Sequence, residues 1–179
     1  AIKPAIGEVV GTTPTAPAQR GQADLFAVKA PVEEVQKIDL DRSRYRAVVD
    51  ADGLRDVVTA LAAVKRFAVR TEVDRPGAPD AALVGVGVSW RPNEAAWLPV
   101  RELGLDALRA ALAPILSDSG KEIVAHDGKT DINALFFSGF PPWRVAGDPM
   151  LMSYLLDADA ESHGLINLAR RFLGYHMME

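Results

Sequence analysis

The 179-residue chain is 49% hydrophobic and 25% charged, with a formal net charge of -4, the composition of a globular domain that folds in water and not of a disordered or membrane-embedded one. The negative balance excludes a general basic field that would draw the chain onto phosphate backbones, so any nucleic-acid contact has to be local or shared with a neighbouring domain. The absence of cysteine excludes disulfides and thiolate chemistry and fits a cytoplasmic setting, and no stretch approaches the roughly 20 apolar residues that span a bilayer.

Residues 1–43 mix Pro, Ala, Thr, Gln and Gly without helical or strand periodicity, the pattern of an interdomain linker. From residue 44 the signals sharpen into one domain that runs to residue 179. Tyr45 to Val49 reads as a strand, Asp52 as the cap of a helix bearing Leu54, Val57, Val58, Leu61 and Val64, and Phe67 to Thr71 as the next strand. Leu83 to Trp90 and Ala95 to Val100 flank Arg91-Pro92-Asn93 as a hairpin. Leu105, Leu108, Leu112, Ile115 and Leu116 mark an amphipathic helix, Glu122 to Ala125 a strand, and Gly128 to Phe137 a helix. Asp148-Pro149 opens a helix over Met150 to Leu156, and a last helix runs from Leu165 to Leu173 before Gly174. A hairpin followed by alternating strands and helices predicts an α/β domain with a mixed central sheet.

Chemistry concentrates in two places. In the strand around Phe67 to Asp74, Arg70 and Glu72 are two residues apart and share a face. In Ala125-His126-Asp127-Gly128-Lys129-Thr130-Asp131, Asp131 follows Asp127 by one helical turn. Converging carboxylates suit hard divalent cations, which take oxygen ligands; Asp127 equally suits a helix N-cap, and Glu72 and Asp74 a solvated strand end. His126, His163 and His176 lack ligand spacing and read as structural or exposed. Trp90 and Trp97 read as packing in the hairpin, with base stacking as the alternative, and Met150, Met152, Met177 and Met178 as core fillers.

Residues 67–74 resemble the first motif, Phe-x-x-Asp-Thr-Glu, of the 3′-5′ exonuclease domains of bacterial family A DNA polymerases of the DNA polymerase I type. Thr71 and Glu72 stand at the motif's Thr and Glu. Residues 123–135 resemble the second motif, with Lys129 and Asp131 at its Lys and last Asp, and Gly147 to Asp157 with Ser162-His163-Gly164-Leu165 are similar to the stretch that follows it.

This resemblance implies an RNase H-like (DnaQ-like exonuclease) fold, a mixed sheet with helices on both faces. It implies DNA as the partner of a parent polymerase, with adjoining 5′-nuclease and polymerase domains, roles in DNA replication and repair, and no membrane. It also marks departures: Arg70 replaces the metal-binding Asp of the first motif, Asp127 the Asn of the second, and Thr130 its Tyr. The third motif, Tyr-x-x-x-Asp, would lie beyond Glu179, so the domain is expected to be incomplete at its C-terminus. The expectation is a degenerate site in which Glu72 and Asp131 are vestigial catalytic positions, Lys129 touches nucleic acid, and no metal is held. An active enzyme would instead bind Mg²⁺ or Mn²⁺ through Glu72, Asp131 and Asp127. An RNase D-like RNA exonuclease is the more distant alternative.

Overall fold

The structure, a computed structural model, describes residues 41–78 and 80–177; the linker expected over residues 1–43 falls almost wholly outside them. The elements are β1 (Tyr45–Ala47), α1 (Ala51–Ala63), β2 (Arg66–Val73), β3 (Leu83–Arg91), β4 (Glu94–Pro99), α2 (Val100–Leu103), α3 (Leu105–Leu116), β5 (Glu122–Val124), α4 (Gly128–Phe137), β6 (Val145–Gly147), α5 (Pro149–Leu156) and α6 (Leu165–Leu173). The six strands form one sheet in the order β1-β4-β3-β2-β5-β6. β2, β3 and β4 pair antiparallel, whereas β1 with β4, β2 with β5, and β5 with β6 are parallel. The hairpin thus lies inside the sheet with β2 at its side, and the mixed α/β architecture matches the sequence expectation.

Period-two alternation sorts β2 into two faces: Phe67, Val69 and Thr71 are buried, while Arg66, Ala68, Arg70 and Glu72 are exposed. The buried face joins Val86 and Val88 of β3, Leu98 of β4, Val57 and Leu61 of α1, Leu108 and Leu112 of α3, and Leu135 of α4 in one core. On the opposite face, Ala68, Arg70, Gly87, Ser89 and Ala95 line a recess of about 490 Å³ that Pro149, Leu165 and Met177 border. Small side chains leave that face thinly covered. Trp97 spreads over it at Gly85, where an added Cβ would stand 2.3 Å from the indole. This is the packing role expected of Trp97, and Trp90 likewise packs partly buried against the core.

Several local readings change. Asp50, not Asp52, caps α1, its carboxylate accepting the Gly53 amide at 2.8 Å; Asp52 lies inside the first turn and pairs with Arg55. Residues 145–147 pair with β5 as an edge strand that three residues were too few to announce by periodicity. Met152 is half exposed, and Met150 and Met177 are only partly buried, because the apolar side of α5 and α6 is not covered; Leu155 there is 87% exposed. Met178 lies outside the described residues. His163 is structural as expected, buried, 2.8 Å through Nδ1 from the Ser153 hydroxyl and stacked on Tyr154. Among the described residues no helix is long and apolar enough to cross a membrane.

Candidate active-site cleft

The ladder between β2 and β5 ends where Ala68 faces Val124, so the β2 edge beyond that point needs other partners. Asp131, in the first turn of α4, supplies one. Its Oδ1 accepts both the backbone amide and the hydroxyl of Thr71, each at 2.7 Å, and its side chain is wholly buried. The other carboxylate oxygen, Oδ2, is buried without a hydrogen-bond partner. Burial pushes the Asp131 carboxyl above the usual range, opposed by the two Thr71 donors and by Arg70.

Arg70 sits on the exposed face of β2, one residue before Thr71. Its guanidinium lies 3.8 Å from Asp131 Oδ1 and 3.4 Å from the His126 carbonyl oxygen, with 56% of the side chain exposed. Glu72 shares that face and, among the described residues, forms no ion pair or hydrogen bond through its carboxylate. The loop after β5 is fixed by Asp148, whose carboxylate accepts the amides of Asp127 (3.2 Å), Gly128 (2.9 Å) and Met150 (2.9 Å). Burial would raise the Asp148 carboxyl, but these amides and that of Leu151 outweigh it and hold it below the usual range. Burial depresses the neighbouring His126 imidazole below its ordinary value, against the pull of the Asp148 carboxylate.

Asp127 occupies the N-cap position of α4 in the left-handed conformation, φ 58° and ψ 49°. Its carboxylate accepts the Thr130 hydroxyl at 2.7 Å and caps no backbone amide. Gly128 follows because the helix starts hard against β6: an added Cβ would lie 2.6 Å from Val145 Cγ2. Lys129 is exposed on the outer side of this turn.

The structure therefore brings Arg70 and Asp131 together, leaves Glu72 and Lys129 in solvent, and turns the Asp127 carboxylate onto its own helix. Sequence reading missed the double donation by Thr71 and the span of Asp148 across two helix starts. Asp148-Pro149 signalled only the nearer helix, because contact with Gly128 is made through space. Oδ1 of Asp131 is taken by two hydrogen bonds beside a permanent cation, and among the described residues no three His, Asp or Glu side chains gather in metal-holding geometry.

Residues 45–179 match the 3′-5′ exonuclease family model. DNA polymerase I of Pseudomonas aeruginosa is 34% identical over 73% of this chain, and that of Chloroflexus aurantiacus 27% identical over 93%. The chain spans only 15% and 18% of those relatives' lengths. Among solved structures, Pol1 of M. smegmatis, in a complex with DNA primer-template and dNTP, superposes with a TM-score of 0.64 at 23% identity, over 75% of this chain and 23% of that one. Trypanosoma brucei RNase D, in a complex with RNA U12, gives 0.63 at 19% identity, over 74% and 48%. These structural likenesses establish the fold, an RNase H-like exonuclease fold, and the family match places the sequence: this chain belongs to the 3′-5′ exonuclease domain family of DNA polymerase I.

Proposed function

We propose that the chain is a catalytically degenerate 3′-5′ exonuclease domain, serving as a structural part of a cytoplasmic DNA polymerase I that acts in replication and repair. DNA is then the partner of the whole polymerase, and 5′-nuclease and polymerase domains adjoin this one. The observation that carries the reading is the pairing of Arg70 with Asp131, where the family's first motif has an Asp. A guanidinium is always protonated, so it supplies positive charge beside Asp131 and repels a divalent ion from the same place. It cannot lower the pKa of a bound water, which is what a metal contributes to phosphodiester hydrolysis.

The experiment is nucleotide release from the 3′ end of a labelled single-stranded oligonucleotide in millimolar Mg²⁺ or Mn²⁺. The proposal expects release no faster than with chelator. Metal-dependent release that Glu72→Gln or Asp131→Asn abolishes would establish the active exonuclease instead.

A further inference from the structure

We infer that the sheet carries a second nucleic-acid contact, away from the candidate cleft, that holds single-stranded nucleic acid through Arg66, Arg91 and Tyr45. β1, β2, β4 and β5 begin, and β3 ends, at the same end of the sheet, whereas Glu72 and Asp131 belong to the other end. Between the strand ends lies a groove of about 530 Å³ walled by Tyr45, Arg66, Trp90 and Arg91 and floored by Ala68 and Ser89. Its lining holds two guanidinium groups and no carboxylate.

The charge around it is already settled in favour of an anion. Glu94 is paired with Arg44 at 2.7 Å and accepts the Trp90 indole N–H at 2.7 Å. Glu122 is paired with Lys65 and Arg66, each at 2.6 Å. Four cations, Arg44, Lys65, Arg66 and Arg91, thus stand against three carboxylates, Glu94, Glu122 and the Asp41 that Arg44 also attracts, a local excess of one in a chain whose net charge is -4. The Arg91 side chain is exposed and, among the described residues, makes no ion pair or hydrogen bond. Its donors are free for a phosphate.

Tyr45 turns the choice from any polyanion to an unpaired strand. The residue is 43% exposed at the groove's rim, and an aromatic face stacks on bases only where they are not already stacked in a duplex. Trp90 is fixed by its bond to Glu94 and makes the inner wall. Ala68 and Ser89 also border the recess beside Arg70, but Arg66 stands four residues from Arg70 along β2, roughly 13 Å at strand spacing, which sets the groove apart from the cleft. A contact confined to the strand ends between Tyr45 and Arg91 is short and hence weak.

Binding of a fluorescent oligothymidylate by the 179-residue chain tests this, in chelator so that no metal contributes and at two salt concentrations. We expect Arg91→Ala and Tyr45→Ala each to weaken binding at least about fivefold, and Arg91→Ala also to lower the slope of log affinity on log salt by roughly 0.7. Arg101→Ala, an exposed arginine on α2, leaves binding unchanged. Both groove substitutions are at exposed side chains, and circular dichroism verifies that each variant is folded. Affinity unaltered by Arg91→Ala and Tyr45→Ala overturns the inference, as does loss confined to Arg70→Met, which would put the strand in the cleft. Equal affinity for a polyglutamate peptide overturns it in favour of an acidic protein partner. None of these outcomes depends on whether the cleft is degenerate, which the release experiment decides separately.

Discussion

Thr71 donates both its amide and its hydroxyl to a single oxygen of Asp131, at 2.7 Å each, and so ties the first turn of α4 to the unpaired edge of β2. Truncating the acid strands both donors in a buried place, where each unmet group costs about 1–3 kcal/mol. Asp131→Ala should therefore lose several kcal/mol in a denaturant titration. Asp131→Asn keeps an acceptor for Thr71 and removes a buried charge, so it should retain most of the stability. An equal loss in both variants would show that the charge, not the hydrogen bonds, holds the contact.

The acids of the cleft respond oppositely to pH. The folded-state pKa of Asp131 is raised, so its contribution is fully present below the ordinary carboxylate pKa and is lost as pH rises through the raised value. That of Asp148 is lowered, so its contribution is present above the ordinary pKa and is lost as pH falls through the lowered value. Asp148→Asn should flatten the acid limb of the stability profile, and Asp131→Asn should remove the decline on the higher-pH side. Denaturant titrations of the three proteins between about pH 3 and 7, bracketing the ordinary carboxylate range, read both changes.

Much of this arrangement was legible in the chain. The alternation of Phe67, Val69 and Thr71 with Ala68, Arg70 and Glu72 announced which side chains of β2 face the core, and the spacing of Leu54, Val57 and Leu61 did the same for α1. α4 meets β2 through Thr71, which the sequence marks only by its place in a motif. Contacts that cross the sheet were not legible, because periodicity speaks of one element at a time. The bonds from Asp148 to Asp127 and Gly128, the grip of Trp97 on Gly85, and the three-residue β6 all depend on chain segments brought together by folding.

Gly85 offers a direct test of that cross-strand packing. A methyl group there would stand 2.3 Å from Trp97 Cζ2 and 2.6 Å from Cη2, well inside contact distance. Gly85→Ala should cost about 1–3 kcal/mol, the usual penalty for overpacking, and combining it with Trp97→Ala should relieve the clash. Additive losses in the double variant would mean that the indole is not what excludes the side chain.

Asp127 holds a left-handed backbone conformation that Gly, Asn and Asp tolerate and β-branched residues resist. Asp127→Asn should be nearly neutral, since it preserves both the conformation and an acceptor for Thr130. Asp127→Val should destabilise by roughly 1–2 kcal/mol, measured by thermal or denaturant unfolding. Similar stability for the two would contradict the assigned backbone.

The central claim is that the Arg70 guanidinium takes the place of a cation beside Asp131, and calorimetric titration with Mn²⁺ tests it most directly. The unaltered chain should show no saturable heat at millimolar metal, whereas Arg70→Asp, which removes the positive charge and adds a carboxylate, should bind measurably. Saturable binding by the unaltered chain that Arg70→Asp leaves unchanged would contradict the claim.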